Sequence, residues 1–240
     1  MGKVSIIVPT LNEENYVGSL LSDIAEQTKD ADEIIIVDGR SVDGRSKDRT
    51  VWVVERFPNV DLIIGSPPVA GQRTLGGRKA NGDVVVLLDA DVRLPKTFLE
   101  DFLEEFEQRQ LDIACPLYVP HHSTLAINAV HAFFNVMFVV FQKVLPSGAG
   151  HCVVINREVF NRSRGFDPGL KFDDIEIIRR LSKKHRFGIV NKQVFVSDRR
   201  YKEHGVLRMF LRYLLMSLLF AIGRFDWANH IDYEFGDHKR

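Results

Sequence analysis

Gly82-Asp83-Val84-Val85-Val86-Leu87-Leu88-Asp89-Ala90-Asp91 decides how this chain is read. Five consecutive apolar residues, β-branched at first, predict a strand buried on both faces, as in a parallel sheet. Polar character returns abruptly at Asp89 and Asp91. In an extended segment these two carboxylates, two apart, point to the same side. Side by side they repel unless a cation neutralises them, and hard divalent ions such as Mg²⁺ or Mn²⁺ suit oxygen ligands shared with phosphates. The bland alternative is a turn after a strand.

Outward from this stretch the first 90 residues alternate strand and helix signals. Val4 to Val8 is a β-branched run stopping at Pro9. Asn12 is placed to cap a helix whose Val17, Leu20, Leu21, Ile24 and Ala25 form one stripe. Glu33 to Val37 is a second buried strand, ending at Asp38-Gly39. A charged helix is expected over Asp48 to Phe57, a third strand over Val60 to Ile64, and a helix over Val69 to Ala80 despite its glycines. This order predicts an α/β fold with a mostly parallel central sheet and helices on both faces. Ligands of such sheets bind beyond the carboxyl ends of the strands, where Thr10 to Glu13, Asp38, Asp89 and Asp91 all fall.

The second half is less regular. Phe98, Leu99, Phe102, Leu103 and Phe106 mark an amphipathic helix starting near Pro95. Cys152 to Ile155 resembles a strand, and Asp174 to Lys184 a helix with Ile177, Ile178 and Leu181 inward. No linker divides the chain. A single domain over 1–240 is expected, with a nucleotide-binding half (1–91), an acceptor half (92–200) and an apolar, basic helical segment (201–240).

Composition narrows the function classes. With 240 residues, 45% hydrophobic and 27% charged, the chain is an ordinary globular one with length enough for one large core. Lys+Arg and Asp+Glu balance at 32 each, which gives no argument for a nucleic-acid partner. Cys115 and Cys152 lie in apolar surroundings and read as free thiols rather than one bridge. The run Val4 to Val8 is too short for a signal-peptide core, so cytoplasmic residence is expected. There is no G-x-G-x-x-G after the first strand and no G-x-x-x-x-G-K-[ST], which counts against a dinucleotide oxidoreductase and a P-loop enzyme.

Four ordered segments resemble the family 2 glycosyltransferases with the GT-A (nucleotide-diphospho-sugar transferase) fold. They are Val4 to Glu14, Ile36 to Gly44, Gly82 to Asp91, and Gly165-Phe166-Asp167 followed by Asp173-Asp174-Ile175-Glu176. The resemblance implies that Pro9, Thr10, Glu13 and Asp38 hold the base and ribose of a nucleoside-diphosphate sugar. Arg73 would lie near the diphosphate. Asp89 would contact ribose or metal, and Asp91 would ligate Mg²⁺ or Mn²⁺. Asp174 would be the general base of one inverting displacement, although an aspartate there could equally cap a helix. His204 would supply a late metal ligand or be a surface residue, and His121-His122 reads as a solvated loop. Ser147 to His151 would be a glycine loop close to the donor sugar, or a hairpin turn.

Three departures from the family pattern stand out. Arg45 to Thr50 is a charged addition after the second motif, Thr74 follows Arg73 where many relatives carry Asn, and Arg93 falls where some members place an extra metal ligand.

Two greasy segments raise the question of a membrane. From Thr124 to Phe141 only Asn128, His131 and Asn135 are strongly polar, and with Gln142 they form one narrow stripe. Tyr213 to Gly223 has no charge, is too short to span a bilayer, and follows Arg199, Arg200, Lys202, Arg208 and Arg212. An apolar helix with a basic approach suits peripheral contact with an anionic membrane, at the inner face of the cell membrane. The alternative is that the two helices pack on each other or across a homodimer. Ser197-Asp198-Arg199-Arg200 resembles the C-terminal basic motif of the lipid-acceptor branches, where Arg199 and Arg200 would grip a phosphate-bearing, lipid-linked acceptor.

Overall fold

The computed structural model describes residues 2–39 and 46–231. Seven strands form one sheet: β1 (Val4–Thr10), β2 (Glu33–Gly39), β3 (Asp61–Gly65), β4 (Val84–Leu88), β5 (Ile113–Pro120), β6 (Cys152–Asn156) and β7 (Phe187–Val196). Their order is β3-β2-β1-β4-β6-β5-β7. The strands pair in parallel except at β6, which runs antiparallel to both β4 and β5. A mostly parallel sheet is therefore present, with one reversal that the strand patterns did not announce. Strands β5 and β7, interrupted by Pro116 and by Asn191 to Gln193, also went unforeseen.

The helices are α1 (Val17–Ala25), α2 (Thr50–Val54), α3 (Val69–Lys79), α4 (Phe98–Gln108), α5 (Leu125–Phe141), α6 (Arg157–Arg162), α7 (Asp173–Leu181), α8 (Arg199–His204), α9 (Val206–Ala221) and α10 (Phe225–Ala228). Alternating strand residues feed two cores. Ile6, Val8, Val86 and Leu88 face one, with Val17, Leu20, Leu21 and Ile24 of α1 and the phenylalanines of α4. Ile7, Val85 and Leu87 face the other, with Phe160, Phe166 and Ile177. Both cysteines are free and buried.

The glycines of α3 have a packing reason. A Cβ on Gly76 would lie 2.9 Å from Val37 Cγ2, and one on Gly77 would lie 2.6 Å from Phe160 Cζ. The helix thus trades intrinsic propensity for close approach to the sheet. Asn12 does not cap α1, whose N-cap is Tyr16. Asn12 takes a left-handed conformation (φ 58°); its N–H donates to Ser46 Oγ and its side-chain oxygen accepts from Lys47 N.

Helix α5 buries part of its polar stripe beside Ile127, Val130 and Phe134, while Asn128 stays exposed: Asn135 donates to Tyr118 O and accepts from Tyr118 N, and Gln142, the C-cap, accepts from Ile189 N. The reason lies in the sheet. Strand β6 pairs with β5 only at Ile113 and Ala114, so beyond them the β5 edge has backbone groups to satisfy. Much of the other apolar surface of α5 faces out, with Val136 60% and Val140 64% exposed. Helices α5 and α9 do pack on each other, through Phe133 and Phe134 against Phe210 and Phe134 against Tyr213. Among the described residues no helix is long and apolar enough to cross a membrane.

Candidate active site

Strand pairing brings the carboxylates together. Thr10 and Asp38 are register partners at the ends of β1 and β2. Asp38 is fully buried and accepts from Thr10 Oγ1 (2.9 Å), Ser46 N (2.7 Å) and Ser46 Oγ (2.6 Å). Gln72 of α3, also buried, ties the same two strands by donating to Thr10 O and Val37 O, both at 2.9 Å. Glu13 donates its backbone N–H to Thr50 Oγ1 at 2.7 Å. The second motif from Arg40 to Gly44, and Arg45 of the charged addition, lie outside the described residues.

Asp89-Ala90-Asp91 is a turn after β4 rather than an extended segment, with Val92 N donating to Asp89 O. The reversed strand delivers a third group to it. Leu88 pairs with Cys152, and Asp89 N donates to His151 O at 3.0 Å. This places His151 beside the carboxylates. Asp89, Asp91 and His151 are the one cluster of ligand-capable groups among the described residues, with candidate atoms within 4.8 Å of one another. Two carboxylates and an imidazole fit a divalent cation such as Mn²⁺, and His151 Nδ1 lies 3.2 Å from Asp89 Oδ2. His204 ends α8 outside this cluster, so the histidine that joins the aspartates is His151, from the glycine loop. The expectation for His204 rests on the family resemblance, whereas the place of His151 follows from the direction of β6, which motif order does not carry. Arg93 is also away from the cluster, gripping Asp23 through Nε (2.6 Å) and a second nitrogen (2.8 Å).

Arg73 organises the next layer. Its guanidinium spans Asp89 Oδ1 (2.7 Å) and Asp173 Oδ1 (2.9 Å). Burial works to lower the Arg73 pKa, but Asp173, Asp89 and Asp174 outweigh it and hold the charge firmly. Burial works to raise Asp89; Arg73 and His151 outweigh it and keep this carboxylate ionised. Burial likewise opposes the charge on His151, but the hydrogen bond and charge of Asp89 win and raise its pKa. Asp173 is pushed up to about 6 by burial, reinforced by Asp174 and opposed by Arg73. Asp174 is raised by burial too, with Asp89 adding to it.

Asp174 is not a cap: Phe172 is the N-cap of α7, and Asp173 and Asp174 occupy its first turn, where the helix dipole favours negative charge. The loop before α7 explains the Gly-Phe-Asp motif. Gly165 has φ +80°, Thr74 Oγ1 accepts from Phe166 N, and Asp167 accepts from Gly169 N and Arg164. Thr74 thus holds the segment that delivers Asp174. The glycine loop 147–151 leads from α5 into β6 and is not a hairpin turn; Gly150 lies directly against the Asp174 carboxylate.

These groups share one cavity of about 700 Å³. Its walls include Pro9, Thr10, Glu13, Arg73, Asp89, Asp91, His151, Asp174, Arg199 and Arg200. Asp38 stands behind Thr10 rather than in the wall. Arg199 lies over the Tyr16 ring, 5.6 Å from its centroid, and tethers the start of α8 to the N-terminal half.

The model of glycosyl transferase family 2 matches residues 5–164. The poly(ribitol-phosphate) beta-N-acetylglucosaminyltransferase TarS of Staphylococcus aureus is 30% identical over 119 residues, covering 47% of this chain and 20% of that protein. The cholesterol galactosyltransferase of Borreliella burgdorferi is 23% identical over 223 residues, covering 82% of this chain and 60% of the relative. The chain therefore spans less than two thirds of the length of either. Among solved structures, the mannosyltransferase PcManGT of Pyrobaculum calidifontis, in complex with GDP-Man and Mn²⁺, superposes with a TM-score of 0.71 at 23% identity, over 92% of this chain and 64% of that one. Glucosyl-3-phosphoglycerate synthase of Mycobacterium tuberculosis, with Mn²⁺, UDP and phosphoglyceric acid, gives 0.63 at 18% identity, over 92% and 79%. The strand order, the aspartates at the end of β4 and the family match agree: the chain belongs to glycosyl transferase family 2 and has the GT-A fold.

Proposed function

We propose that the protein is an inverting, divalent-metal-dependent transferase that moves a sugar from a nucleoside-diphosphate sugar to a lipid-linked or membrane-borne acceptor. The observation that carries this reading is the convergence of Asp89, Asp91 and His151 in one cavity wall with Asp174, across the Arg73 bridge. Pro9, Thr10 and Glu13 line the donor side and Asp38 stiffens Thr10 from behind. Asp89, Asp91 and His151 would hold Mn²⁺ or Mg²⁺, which supplies positive charge against the departing diphosphate. Arg73 keeps Asp89 ionised and oriented. Asp174 accepts the proton of an acceptor hydroxyl as its oxygen attacks the anomeric carbon and the bond to the diphosphate breaks.

The acceptor reading rests on the surface. Leu207, Leu211, Leu215, Leu218 and Ile222 form an exposed stripe along α9, and the outward face of α5 is apolar as well. Arg208 and Arg212 stand one turn from Leu211 and Leu215 respectively, the mixture that suits an anionic membrane surface. Arg199 and Arg200, in the cavity wall, suit an anionic head group. A phosphate-bearing acceptor needs no base, and Asp174 would then orient it. A small soluble acceptor is the second reading, favoured by the neighbour bound to phosphoglyceric acid.

A panel of nucleotide sugars with Mn²⁺ or Mg²⁺, read by nucleoside diphosphate release, tests the proposal. Release that needs the metal and collapses in Asp91→Asn is the expected result. Unchanged release in Asp91→Asn overturns the metal assignment, and pyrophosphate as product would make the protein a nucleotidyltransferase. Vesicles of anionic phospholipid should retain the protein; recovery wholly in the supernatant favours the soluble acceptor.

A further inference from the structure

The active-site cavity does not stop at the catalytic groups. It continues between α5 and α9, where its walls are Phe134, Phe138, Phe141, Tyr213, Met216 and Phe220. A site for donor and metal alone has no use for such a wall, because sugar and diphosphate are polar. Phe133, Phe141 and Leu218 also line the cavity, yet they are 41%, 41% and 58% exposed. The same side chains therefore belong to both the inner wall and the outer apolar surface, and the cavity opens sideways onto that surface.

The junction of the polar and apolar parts is marked by His131. It is 3% exposed, and neither ring nitrogen makes a hydrogen bond of good geometry, although the Tyr118 backbone lies near enough to interact. Its ring packs between Tyr118 (4.8 Å) and Tyr201 (5.3 Å), and Tyr118 in turn meets His151 of the metal cluster (6.1 Å). A buried imidazole with no well-formed hydrogen bond is costly unless something completes it. The one cavity thus joins the ionic groups of the site, the buried His131 ring and, between α5 and α9, a mostly aromatic and aliphatic wall interrupted by Ser217 and Arg179. An amphiphile combines the same two chemistries.

We propose that the space between α5 and α9 is the subsite for the hydrocarbon chain of the acceptor. The chain enters sideways past Phe133, Phe141 and Leu218, the head group reaches Asp174 and Arg200, and His131 hydrogen-bonds the first polar atoms below the head. This deepens the membrane-borne acceptor reading and rests on it. It also separates two apolar surfaces: Leu211 and Leu215 face outward and do not line the cavity, whereas Ser217 and Met137 do.

The test is binding without turnover. Dodecyl phosphate below its micellar concentration and ethyl phosphate share a head group and differ only in chain. Their affinities for the full chain are measured by calorimetry with Mn²⁺ present. The longer chain should bind about 100-fold tighter or better, a modest share of what burial of ten methylenes can give. Ser217→Trp, which fills the space, should remove at least about tenfold of that preference and leave ethyl phosphate unchanged. Met137→Trp, from the opposite wall, serves if Ser217→Trp unfolds.

The Leu211→Glu, Leu215→Glu double variant should lose vesicle binding and keep the chain preference. No chain preference in the native protein, or one that survives both filling variants, overturns the subsite. So does a preference lost in the outward double variant, or one that appears only with dimer formation. Chain binding without diphosphate release from any donor would count against the transferase reading alone, and release without chain binding against the subsite alone.

Discussion

Gly150 lies so close to Asp174 that a Cβ on it would be 2.5 Å from the Asp174 Cγ. The missing side chain is what lets the glycine loop and the first turn of α7 meet. Gly150→Ala should therefore displace the carboxylate without touching the core. We expect kcat to fall on the order of 10²-fold, as for a misplacement of about 1 Å, with donor KM and Tm little changed. An alanine variant with native kcat would show that Asp174 takes no part in the chemistry.

His151 and His204 make opposite predictions. His151→Ala should raise the Mn²⁺ concentration needed for half-maximal activity by about tenfold or more, since it removes one of the three proposed ligands. His204→Ala should leave it unchanged. A metal titration of both variants decides which histidine serves; the reverse pattern would restore the C-terminal one.

The pH profile depends on the acceptor. Burial pushes Asp173 up to about 6 and raises Asp174 in the same direction. Below its raised range the Asp174 carboxyl holds a proton and cannot accept another. With a hydroxyl acceptor, kcat/KM should show an acid limb displaced above the ordinary carboxylate range, falling about tenfold per pH unit, and level off at higher pH. With an acceptor already anionic, the limb should be absent. Either outcome identifies the chemistry of the attacking group.

Arg73 joins stability to catalysis. Arg73→Met leaves Asp173, which is 1% exposed, without its cation. A cost of about 3–5 kcal/mol is expected in denaturant unfolding near neutral pH, shrinking at acid pH as Asp173 protonates. A Tm equal to the native value would mean that the bridge is dispensable.

The N-terminal half of the fold was legible because its strands are uninterrupted apolar runs and its helices periodic. Val17, Leu20, Leu21 and Ile24 of the α1 stripe and the five apolar positions of α4 are buried as their spacing implied, while Ala25, at the end of α1, is exposed. Strands β5 and β7 were not legible: Pro116 and the polar residues 191–193 break the pattern, and their pairing carries a register shift between Pro116 and Leu117. In the site, Asp89 and Asp91 could be seen from their place after a strand. His151 could not, because its role follows from the direction of β6, which neither composition nor spacing encodes. Gln72 and His131 were missed for a related reason, since a polar residue inside a helix reads as surface unless the packing is known. The narrow polar stripe of α5 was a partial clue: Asn135 and Gln142 turn inward to backbone partners, whereas Asn128 is exposed.

The reversal of β6 makes the cluster a product of assembly. Asp89 and Asp91 arrive with the first half of the chain, and His151 arrives only once β6 has zipped onto β4 in the register that sets Cys152 opposite Leu88. A slip by one residue would turn the strand's faces over and carry the imidazole away with them. On the metal reading proposed above, ion affinity would act as a proofreading signal. A chain with its second half undocked or misregistered would present two aspartates and no histidine, so an ion would favour only the correctly closed sheet.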